Sequence, residues 1–117
     1  MNFDEAVAAH TKWKARLRAT LDGAGEALDP ATVARDDACD LGRWIHGEGS
    51  RYKALAEHQA LRAAHARFHK CAAEVVTKNV QGMKAEAESL MASGGAFSKT
   101  STETISAIMA MQRAVLK

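Results

Sequence analysis

Aromatic side chains are scarce: phenylalanine, tryptophan and tyrosine make up 5% of the 117 residues. Any core must therefore be filled mainly by alanine, leucine, valine and methionine. Proline occurs once, at Pro30, so it can interrupt a helix at one place only. Two cysteines, Cys39 and Cys71, are too few for a disulfide framework. In a reducing compartment each is a buried thiol, a metal ligand or a redox site. No apolar run approaches the roughly 20 residues of a membrane span, and no membrane insertion is expected. A dominant charge is missing too: 16 basic and 14 acidic residues leave a net +2. That charge is spread along the chain, without the clustered basic face of a nucleic-acid binder. Met1-Asn2-Phe3-Asp4-Glu5 carries acids where a signal peptide carries bases. The chain reads as soluble and cytoplasmic.

What is present favours helix. Apolar residues make up 47% of the chain, and Ala, Leu, Lys, Glu, Arg and Gln dominate. The length suits one domain, residues 1–117, with one core. The stretch around His65-Ala66-Arg67-Phe68-His69 organises it. Residues four apart stack on one helix face, and His65 and His69 share theirs with Leu61, Phe68, Ala72, Val75 and Val76. Imidazoles facing a core need a partner, either a metal ion or ordinary hydrogen bonds. For the pair alone, hydrogen bonds are the commoner answer.

The rest of the chain supplies more. Phe3, Ala6, Val7, His10, Trp13, Leu17 and Leu21 recur at three- and four-residue steps and predict a first helix from Asn2 to Leu21. Lys12, Lys14, Arg16 and Arg18 fall mostly off that stripe, on a solvated face. Asp22-Gly23-Ala24-Gly25 stops the helix, and Asp29-Pro30 signals a new start. A second helical region, Ala31 to Ile45, is poorly periodic and is expected to break near Asp36 or Asp37. That break places Cys39 near a helix start, where a thiol pKa is lowered. Leu41 and Trp44 follow at core spacing, and Gly42 permits close backbone packing. Gly47 to Ser50 reads as a loop. A third helix starts between Tyr52 and His58 and runs to Val80. A fourth runs from Met83 to Leu116, with a weak point at Ser93-Gly94-Gly95. Its apolar set is Met83, Ala87, Leu90, Met91, Phe97, Ile105, Ile108, Met109, Val115 and Leu116. The expected fold is all-α: an antiparallel four-helix bundle with a broken second helix.

In such a bundle His10, Cys39, His65 and His69 can meet. Three imidazoles and a thiolate form a tetrahedral nitrogen and sulfur set that suits Zn²⁺. Four protein ligands leave no position for a reacting water, which points to a structural or regulatory site and away from an enzyme. His46 and His58, in or beside the loop, are expected to be solvated. Cys71 points away from the His65 and His69 face. Asp36, Asp37 and Asp40 read as caps or surface more than as acceptors for a ligand histidine. The paired Glu-x-x-His pattern of ferritin-like di-iron bundles is absent.

His10, Cys39-x-Leu41-Gly42-x-Trp44 with Gly47 following, and His65-x-x-Phe68-His69 resemble the chemoreceptor zinc-binding domain (CZB) family over nearly the whole chain. The resemblance implies that His10, Cys39, His65 and His69 bind zinc inside a four-helix bundle. It also implies a homodimer that regulates a chemoreceptor signalling domain or a diguanylate cyclase, and so chemotaxis or cyclic-di-GMP output. Some members are proposed to sense hypochlorous acid through the cysteine. The competing reading is a metal-free helical interaction or dimerisation module with core histidines.

Overall fold

Asn2 opens the first helix. In the computed structural model, which describes residues 1–25 and 27–116, its Oδ1 accepts a hydrogen bond from the Glu5 N–H at 3.0 Å. Asp4 and Glu5 occupy the first turn, where the helix dipole favours acids. Helix α1 spans Phe3–Leu21. Asp29 caps α2, Pro30–Val33, with Pro30 in the first turn. Residues 34–39 follow without regular helix, and Cys39 is the N-cap of α3, Asp40–His46. The second helical region is therefore two short helices with a break, as the acidic cluster suggested. Gly47 to Ser50 is not a plain loop: a 3₁₀ turn covers Glu48–Tyr52.

Helix α4, Ala56–Val80, is the longest element. The expected fourth helix is two: α5, Lys84–Met91, and α6, Ala96–Val115. A turn separates them at Gly94, whose φ of +82° is the left-handed conformation that glycine adopts without strain, and α6 continues antiparallel to α4, with Arg67 paired to Glu103 where Lys78 pairs to Glu86 on α5. Among the described residues every regular element is helical. No helix among them is long and apolar enough to cross a membrane.

Helix α4 packs most extensively on α6 and also meets α1, α2, α3 and α5. Two separate apolar clusters result. One gathers Leu17, Leu21, Val33, Phe68, Ala72, Val75, Val76, Met91 and Phe97. The other gathers Phe3, Ala6, Leu41, Ile45, Leu61, Ile108 and Met111. Along α1 the changeover falls between Ala6 and Leu17, and along α4 between Leu61 and Phe68. His10 and His65 lie in those intervals and His69 lies just past the second, so a layer of imidazoles separates the two clusters.

The buried face of α6 is Phe97, Thr100, Thr104, Ile108 and Met111, whereas Met109 is exposed and Ile105 half-buried. The apolar set read from sequence was rotated off this face because threonine was not counted as a core residue. Here each hydroxyl finds an acceptor. Thr100 donates to the Phe97 carbonyl at 2.9 Å, and Thr104 donates across to the Ala64 carbonyl on α4 at 3.1 Å. A buried hydroxyl with a partner costs little.

Candidate metal centre

Helix periodicity carries His10, His65 and His69 inward, and all three are buried. Cys39 reaches them because residues 34–39 fold tightly back over α3. At Gly42 a Cβ would overlap the carbonyl oxygen of Asp36, so only glycine lets that strand of backbone pass. Cys39 Sγ also accepts the Gly42 N–H at 3.3 Å, which aims the side chain.

One potential ligand atom from each of His10, Cys39, His65 and His69 lies within 4.8 Å of all the others. The Nε2 of His65 is 3.1 Å from that of His10 and 3.0 Å from that of His69. Cys39 Sγ stands 3.3 Å from His65 Nε2 and 3.7 Å from His69 Nε2. A tetrahedral zinc site has nitrogen–nitrogen edges of about 3.3 Å and nitrogen–sulfur edges of about 3.6 Å, given its bond lengths. The spacing fits.

Protonation points the same way. His10 Nδ1 donates to the Ala6 carbonyl at 2.7 Å, and His69 Nδ1 donates to the Val33 carbonyl at 2.9 Å. A carbonyl only accepts, so in both rings the proton sits on Nδ1 and Nε2 offers a lone pair. His65 Nε2 has at most one proton to share between those two neighbours. Lone pairs therefore converge among buried imidazoles, which a cation relieves. Burial keeps the rings neutral: it lowers the pKa of His10 and of His69, and pushes that of His65 down to about 2, with its imidazole neighbours adding to the shift.

The family model for the chemoreceptor zinc-binding domain matches residues 10–76, a stretch that begins at His10 and contains Cys39, His65 and His69. The chain belongs to this family. No curated protein and no solved structure gives a match. The CZB segment covers α1 from its middle, all of α2 and α3, and most of α4.

Two sequence expectations need correction. His58 is buried, at 4% exposure, with Nε2 3.3 Å from the Ile45 carbonyl and its ring beside Trp44. It serves α3 and lies apart from the four-residue cluster. The thiol of Cys39 is not acidified in the bare protein. Burial raises its pKa, which outweighs the Gly42 and Leu41 N–H groups and the Arg43 charge that lower it. The acceptors behind the histidines are main-chain carbonyls of Ala6 and Val33, which no side-chain pattern announces. His46, Asp36, Asp37, Asp40 and Cys71 lie outside the four-residue cluster. His46 is exposed and 3.9 Å from Asp36 Oδ1. Asp37 pairs with Arg35, and Asp40 with Arg43. Cys71 is a half-buried free thiol packed beside the first apolar cluster.

Proposed function

We propose that this chain is a single regulatory domain, an antiparallel helical bundle in which His10, Cys39, His65 and His69 hold one Zn²⁺. The supporting observation is the convergence of three Nε2 atoms and one Sγ, with the Nδ1 protons of His10 and His69 already committed elsewhere. When bound, the ion supplies a closed, redox-inert crosslink with no position left for substrate water. The protein's own residues do the rest. Helix α4 contributes His65 and His69 as a rigid pair. Helix α1 and the Cys39 segment each contribute one group, so they are the parts that loosen when the site empties. Movement of α1 or of residues 34–39 is the output. It is passed to a chemoreceptor signalling domain or a diguanylate cyclase, in a cytoplasmic homodimer.

Cys39 offers a second input. It is half-buried, and a zinc-held thiolate is oxidisable. The thiolate takes chlorine from hypochlorous acid with release of hydroxide, water then displaces chloride from the sulfenyl chloride to give sulfenic acid and a proton, and the sulfur ceases to be a good ligand.

Metal analysis by mass spectrometry tests the reading. One zinc per chain is expected, with loss of tight binding in Cys39→Ala. A strong chelator lowers the melting temperature of the wild type by about 10 °C or more, since an ion bound only to the native state stabilises it by mass action. A protein that purifies without metal and melts unchanged with added zinc is the metal-free interaction module instead.

A further inference from the structure

Two clefts reach the four-residue cluster from solvent, and both arrive at Cys39. The first, about 530 Å³, lies between the start of α1 and the start of α3 and is lined by His10, Trp13, Arg16, Cys39 and Arg43. The second, about 390 Å³, lies between α1 and α2 and is lined by Trp13, Arg16, Val33, Cys39 and His69. Trp13, Arg16 and Cys39 are common to both. The Arg16 guanidinium stacks 3.9 Å over the Trp13 ring. That ring in turn stands edge-on to His69, with centroids 6.1 Å apart. The three imidazoles of the cluster are at most 2% exposed, whereas Cys39 is half-buried. Of the four residues, Cys39 is therefore the most open to solution.

We propose that Trp13, held by Arg16, is a gate over Cys39 that admits small solutes to the sulfur and screens it from bulky ones. The indole lines both clefts, so swinging it away merges them into one wider groove at Cys39. The stack of Arg16 and the packing of Trp13 against the first apolar cluster together hold the indole in place. An exposed cation–π contact of this kind converts to about a two- to fivefold change in the population of the open state. The gate fixes the class of reagent the sulfur meets: electrophiles and oxidants of a few heavy atoms. As regulation of zinc release, it rests on the zinc reading above. As control of sulfur access, it does not.

The test compares wild type, Trp13→Ala and Arg16→Gln as full chains, in zinc-loaded and metal-free form. Cys39 is modified with methyl methanethiosulfonate, which is small, and with a bulky aryl maleimide. Peptide mapping separates Cys39 from Cys71. Zinc transfer to a neutral pyridyl chelator is timed in parallel. Trp13→Ala is expected to speed the maleimide reaction about tenfold while changing the small reagent by less than about threefold. Arg16→Gln is expected to speed the maleimide reaction about two- to fivefold, and it stands alone as the test if Trp13→Ala fails to fold, because Arg16 lies at the surface. Zinc transfer should follow the same order. An unchanged ratio of large- to small-reagent rates in the folded variants overturns the gate. The zinc reading fails separately, through a wild-type chain that holds no metal, and in that case the metal-free reaction rates still decide the gate.

Discussion

His69 is tied to α2 through its far nitrogen: Nδ1 donates to the carbonyl of Val33 at 2.9 Å, while Nε2 faces the cluster. The position of a four-residue helix thus bears directly on one imidazole. Groups that orient a metal-binding histidine matter nearly as much as the histidine itself.

Loosening α2 should therefore weaken zinc. Asp29 Oδ2 accepts from both the N–H and the hydroxyl of Thr32, at 3.2 and 2.8 Å. Asp29→Ala removes that cap, a loss of about 1 kcal/mol. The expected result is zinc affinity about three- to tenfold lower at unchanged stoichiometry, measured by chelator competition.

His58 and His65 are both buried, yet they should behave differently. His65→Ala is expected to abolish tight zinc binding. His58→Ala should leave one zinc per chain while costing about 2 kcal/mol, for a buried ring and its bond to Ile45. Metal analysis paired with denaturant melts separates the two.

Acid should destabilise the metal-free protein in a defined window. Burial lowers the folded pKa values of His10, His65 and His69, that of His65 to about 2. In the unfolded chain each ring takes a proton near its ordinary value of about 6.5. Below that value the unfolded state binds more protons than the folded one, so stability falls as the pH falls. The slope is up to about 1.4 kcal/mol per pH unit for each ring. Full stability is present above about pH 6.5. Zinc competes with the same protons, so the loaded protein should release metal in the same direction. Urea melts between pH 7.5 and 4.5, with and without zinc, read both effects. A flat profile for the metal-free protein is the contrary result.

Gly42→Ala should be among the most damaging single-atom changes available. The added Cβ collides with the backbone at Asp36, and the strand that must give way carries Cys39. A loss of about 2 kcal/mol or more is expected, together with weaker zinc binding, seen in thermal melts and chelator competition.

The four-residue cluster was legible in the sequence because three of its members sit on helix stripes of unambiguous period. His10 follows Phe3 and Ala6, and His65 and His69 follow Leu61. Cys39 is placed by the break expected near Asp36 or Asp37. What escaped notice was tertiary. His58 reads as solvated because it lies on the loop side of the third helix, yet the first turn of α4 aims it at the Ile45 carbonyl of another helix. Thr104 falls outside the apolar set of the fourth helix, and its burial rests on the Ala64 carbonyl that accepts its hydroxyl. The thiol pKa was assigned from a helix start alone, and desolvation, which a linear sequence does not display, carried it the other way. Arg16 was read as solvated face, and its stack on Trp13 depends on a rotamer that spacing does not encode.

The imidazole layer between the two apolar clusters makes the centre of the molecule its seam. Hydrophobic burial is split into an upper and a lower half, and neither half carries the cohesion of an undivided interior. On the zinc reading proposed above, a cation clasps the two halves across that layer, and the emptied layer is where the packing between them is weakest.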